Sequence, residues 1–100
     1  MNKNKHNKWI NQDTDALFEA ILKVKNIYEA RRFFRDLLSE KELVEFGQRW
    51  KVARMLAKQV SYTKIAQETG MSSTTIARVQ KWLGKGMNGY KLVLGRLGKK

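Results

Sequence analysis

Apolar residues recur along this chain at three- and four-residue intervals and nowhere in sustained alternation, so the pattern is that of helices. Leu17, Phe18, Ile21, Leu22 and Val24 outline a first amphipathic helix from about Asp13, with Asp13 or Thr14 as its cap. Asn26 weakens the period. Ala30, Phe33, Phe34, Leu37 and Leu38 then take positions i, i+3, i+4, i+7 and i+8 of a second helix. The run Ser39-Glu40-Lys41-Glu42 has the form of a capping box, opening a long helix through about Lys58. Leu43, Phe46, Gly47, Trp50, Ala53 and Leu56 or Ala57 share one face of it. Val44, Val52 and Met55 fall off that stripe. A helix wetted on its back does not usually carry so many apolar residues there, which points to contact with another subunit.

Residues 61–83 carry the anatomy of a helix-turn-helix. Ser61 is placed to cap a short helix whose Ile65 and Ala66 face inward, Ala66 being small where a second helix crosses. Gly70 occupies the turn, which needs a positive φ, and Met71 covers the corner. Ser72 is placed to cap the second helix, whose Ile76 and Val79 face back to the core. Gly84, Gly86 and Gly89 punctuate a following loop, and a last short helix is expected over Tyr90–Leu97. The expected fold is all-α, about six helices in one compact domain. Its parts are a flexible basic arm (1–12), a helical dimerisation core (13–60), the helix-turn-helix (61–83), and a glycine loop with a C-terminal helix or tail (84–100).

Charge changes the picture from packing to function. Lys and Arg total 21 against nine acids, a formal net charge of +12, which favours a polyanionic partner, nucleic acid before membrane surface. The bland alternative is charge that serves solubility. Residues 1–60 hold 13 basic and eight acidic side chains, whereas residues 61–100 hold eight basic residues and a single acid, Glu68. The outward positions of the helix-turn-helix share that bias. Ser72, Ser73, Thr74, Ala77, Arg78 and Lys81 on the second helix are small, polar or basic. Short hydroxyl side chains allow close approach to base edges, Arg78 and Lys81 reach guanine or the backbone, and Thr63 and Lys64 on the first helix are placed for phosphate. The competing readings are two core-packing helices with an inert outer face, or the same face used for protein contact or nucleoid association without base reading.

Other classes find little support. The apolar fraction, 42%, is too high for full disorder. The apolar runs fall far short of the about 20 residues a membrane span needs, so no membrane partner is expected. The basic start MNKNKHNKW lacks a following apolar stretch and does not read as a secretory signal, and the absence of cysteine excludes disulfides and thiolate metal sites. A cytoplasmic protein is expected. No enzyme is expected either. The sole histidine, His6, lies in the basic arm, the acids are scattered at helix starts, and no phosphate-cradling loop or metal-ligand spacing occurs. No cofactor is expected.

The segment from Leu37 to Leu83 resembles the Trp repressor family, especially its YerC/YecD-like branch of bacterial regulators. The likeness extends over about Leu17 to Leu97. It rests on the Leu-Leu-Ser entry to the long helix, the Gly47-x-Arg49 on it, and the helix-turn-helix. It implies an intertwined homodimer whose N-terminal helices interlock and whose two heads address adjacent major grooves of double-stranded DNA. In the tryptophan-responsive form of the family, the effector lies between the long helix and the recognition helix. The residues here that match its polar side are Ser39, Arg49 and Arg78. Where that form has a Gly and a Ser making room for the indole, this chain has Val79 and Trp82. Both departures remove space, so regulation without tryptophan is expected, any other effector being unknown. Two readings of Trp82 stay open: an attached wedge in the place of the ligand, or a core residue near the helix end.

Overall fold

A computed structural model describes residues 8–98; most of the expected basic arm, His6 included, lies outside the described residues. Six α-helices follow one another: α1 (Gln12–Ile21), α2 (Ile27–Leu37), α3 (Glu40–Ala57), α4 (Tyr62–Thr69), α5 (Ser73–Lys85) and α6 (Gly89–Leu97). There is no strand among the described residues. The fold is all-α, as the periodicity dictates. The chain divides into two compact units, one through Glu40 and one from Lys41.

In the N-terminal unit the helices begin at asparagines. The cap of α1 is Asn11, neither Asp13 nor Thr14. Its side-chain oxygen accepts from the Thr14 amide at 2.9 Å, and the Thr14 hydroxyl accepts from the Asn11 amide at 3.0 Å. Thr14 thus completes the cap from the third helical position, a capping box with a hydroxyl where Glu or Gln is usual. Residues 8–12, assigned to the arm from the sequence, instead carry a turn, this cap and the start of α1. The first helix also stops at Ile21, short of Val24, because the Lys23 and Val24 amides donate to the Ala20 and Ile21 carbonyls in tightened turns. Asn26, which interrupts the hydrophobic period, is the cap of α2, accepting from the Glu29 amide at 2.9 Å. Neither α1 nor α2 contains a buried residue.

In the C-terminal unit a core forms from Val52, Ala53 and Leu56 of α3, Ile65 of α4, and Ile76 and Val79 of α5. Val52, which the helical stripe left on the back of α3, is fully buried, whereas Phe46 within the stripe is 47% exposed. The last turns of α3 are where α4 and α5 supply partners, and burial follows those partners rather than the stripe. The end of α3 is a Schellman arrangement: the Val60 amide donates to the Met55 carbonyl and the Gln59 amide to the Leu56 carbonyl, with Gln59 left-handed at φ 63°. The fifth helix runs two residues beyond the expected 83, so the loop shrinks to residues 86–88. It ends at Gly86, whose amide donates to the Trp82 carbonyl and where a Cβ would run into that same oxygen.

Candidate nucleic-acid interface

Each junction of the helix-turn-helix is closed by a short polar side chain. The Ser61 hydroxyl accepts from the Lys64 amide at 3.2 Å, opening α4. At the other end of α4, Gly70 stands at φ 73° and its amide donates to the Ala66 carbonyl at 2.8 Å. The Thr69 hydroxyl donates to the Ile65 carbonyl at 2.7 Å and accepts from the Met71 amide at 3.2 Å, tying both sides of the turn. Its role as a turn clamp had no signal in the sequence beyond the general preference of threonine for such bonds. The Ser72 hydroxyl then accepts from the Thr75 amide at 3.2 Å, opening α5. Ile65, Ile76 and Val79 anchor the inner faces in the core, with half-buried Met71 packed against it.

This anchoring decides what faces outward. Thr63, Lys64, Ser72, Ser73, Thr74, Ala77, Arg78 and Lys81 are all exposed. The first turn of α5 holds no acid, so its amides and hydroxyls present donors to an approaching anion. The Ser72 hydroxyl is partly committed, since it caps α5 and also lies 3.1 Å from the Thr75 hydroxyl. The Lys64 ammonium stands 4.0 Å from the Glu68 carboxylate. The Lys81 ammonium lies 5.6 Å from the Trp82 ring centre, a cation–π contact between neighbours on α5. Chemically, the face combines small residues that permit close approach with long cations able to reach phosphate or guanine.

Beside α5 lies a cavity of about 240 Å³ lined by Arg49, Thr75, Arg78, Val79, Trp82 and Tyr90. It thus brings together Arg49, Arg78, Val79 and Trp82 of the expected effector pocket. Ser39 lies in the N-terminal unit, immediately ahead of α3. Thr75 and Tyr90 were not singled out from the sequence: Thr75 sits between outward Thr74 and buried Ile76, and Tyr90 arrives from α6. Val79 is buried in the core, while Trp82 is 51% exposed in the single chain. Its indole forms a wall, and space remains beside it. Trp82 and Tyr90 also border a larger, apolar cavity of about 600 Å³ with Trp50, Gly86, Met87, Gly89 and Val93. The Tyr90 ring stacks on Trp50 with centroids 6.1 Å apart, fastening α6 to α3.

Comparison with known proteins follows the same outline. Residues 12–98 match the Trp repressor protein family. The chain is 42% identical over 86 residues to the YerC protein of Bacillus subtilis (strain 168), a stretch covering 86% of this chain and 83% of that one. The crystal structure of a TrpR-like protein from Eubacterium eligens ATCC 27750 superposes with a TM-score of 0.88 at 41% identity, covering 94% of this chain and 97% of that chain. A Staphylococcus aureus structure superposes with a TM-score of 0.86 at 34% identity, over 100% of this chain and 98% of that one. The match spans all six helices: the chain belongs to the Trp repressor family.

Proposed function

We propose that this protein is a sequence-specific DNA-binding regulator of transcription, a repressor that acts as a homodimer in the cytoplasm. The observation that carries the proposal is the exposed face of α4 and α5. Between Ser72 and Lys81 it presents short hydroxyls, one alanine, Arg78 and Lys81, with no acid among them. On this reading α5 enters the major groove. Thr74, Ala77 and Arg78 meet base edges, while Thr63, Lys64, Ser72, Ser73 and Lys81 meet the backbone. A two-fold dimer sets two such helices about 34 Å apart, one duplex turn. Gel shifts against random duplex and against duplex recovered by selection test it. A large preference for the selected sequence is expected. Equal affinity for both would favour a nucleoid-associated module, and no affinity would favour protein contact.

The regulator is further proposed to work without tryptophan. The support is that Trp82 already supplies an indole at the cavity, with the Val79 side chain beside it. Titration calorimetry with millimolar tryptophan should give no binding heat; saturable heat would overturn this part of the reading.

A further inference from the structure

Glu68 is the one acid in residues 61–100, and it lies on the helix that approaches the DNA backbone in the function proposed above. Its carboxylate stands 4.0 Å from the Lys64 ammonium, with both side chains exposed, in an i,i+4 pair. As a device for stabilising α4, the pair is badly placed on two counts. Lys64 sits in the first turn, at the positive end of the helix dipole, and Glu68 in the last turn, at the negative end. The order Lys before Glu is also the weaker of the two i,i+4 orders. The reverse arrangement would serve the helix better in both respects. What the placement does achieve is electrostatic. Lys64 stands beside Thr63 at the N-terminal turn of α4, with Glu68 as a tethered anion within reach of it. A DNA phosphate that meets Lys64 must displace or share with that carboxylate.

We infer that Glu68 is a built-in competitor for the phosphate contact of Lys64, and so sets how tightly the reading head holds duplex of any sequence. The inference rests on the proposed DNA-binding function. An exposed pair of this kind is worth a fraction of a kcal/mol, so Glu68→Gln should tighten binding to random and selected duplex alike by roughly two- to five-fold. It should also steepen the dependence of log K on log salt by up to about one unit. In a Lys64→Gln background, Glu68→Gln should do neither. The melting temperature of Glu68→Gln should not fall, because the carboxylate sits at the wrong end of the helix dipole.

Fluorescence anisotropy over a salt series on the dimeric full chain, with Lys64→Gln, Glu68→Gln, the double variant and Arg78→Ala, separates the possibilities. Tighter binding that vanishes in the Lys64→Gln background supports the competition. Unchanged or weaker binding by Glu68→Gln overturns it, as does an equal gain in the Lys64→Gln background. If Arg78→Ala weakens binding while Lys64→Gln does not, the head reads DNA and only the role of Glu68 falls. If neither weakens binding, the DNA interface itself is wrong.

Discussion

Two left-handed backbone positions close neighbouring helices with opposite choices of residue. Gly70 takes φ 73° with open space where a Cβ would stand, so a substitution there meets only backbone strain. Gln59 takes φ 63° at the end of α3 and carries that strain already. A left-handed residue with a Cβ costs roughly 1–2 kcal/mol against glycine, and glycine loses about 0.5–1 kcal/mol of that through its freer unfolded chain. Gly70→Ala should therefore destabilise by about 1 kcal/mol, and Gln59→Gly should stabilise by about 0.5 kcal/mol. Urea unfolding at fixed protein concentration reads both, and two effects of the same sign would refute the argument. Gly70 could be placed from the sequence because a turn between two helical periods leaves few residues besides glycine. Gln59 could not, because its conformation comes from the bonds that Val60 and its own amide make to Met55 and Leu56.

In the proposed interface α5 divides its labour along its length. Lys81→Gln removes a cation that any backbone offers a partner, so affinity for all duplexes should fall together and the salt slope should flatten by about one unit. Thr74→Ala and Arg78→Ala should also shift which sequence is preferred, by about 1–3 kcal/mol at the bases read. Binding-site selection with each variant checks this, and four unchanged selections and affinities for Lys64, Thr74, Arg78 and Lys81 variants would return the helix to a purely structural role. Trp82 lies farther along the same helix, half-exposed and walling the cavity that Arg78 and Thr75 also line. An attached indole there loses less freedom on ordering than a free ligand would, and in the proposed tryptophan-independent regulator it holds the helix at its reading angle. Trp82→Ala should stay folded and dimeric yet lose specific affinity. A folded Trp82→Ala protein with unaltered DNA binding would show that the indole sets nothing.

Six apolar side chains form the buried core among the described residues, and all of them lie between Val52 and Val79. Meanwhile Leu22 (81%), Met87 (79%), Tyr28 and Val44 stand exposed, and α1, α2 and α6 contain no buried residue. Helices of nine to eleven residues are marginal in isolation and need an apolar face covered. A second copy of the chain covers them in the proposed dimer, in keeping with a small domain that buries too little alone. Sedimentation should show a dimer at micromolar concentration. Phe18→Ser with Leu22→Ser should lower both the dimer fraction and the melting temperature, and a folded wild-type monomer would exclude the proposal.

What the sequence determined by itself was local. Helical periods, the serine caps at Ser61 and Ser72, the glycine turn at Gly70 and the acid-free outer face of α5 all depend on residues within a turn or two of one another, where backbone geometry admits few solutions. The caps of α1 and α2 escaped it in part, since asparagine is equally at home as an interruption and as a cap. What only the tertiary structure decided was long-range. Val52, off the stripe, became core because α4 and α5 pack over the end of α3, and Phe46, within the stripe, stayed exposed. Tyr90 came to the cavity from α6, and Trp82 joined it in the lining. Burial is a property of which surfaces meet, and a periodic stripe states only that a surface is ready to be met.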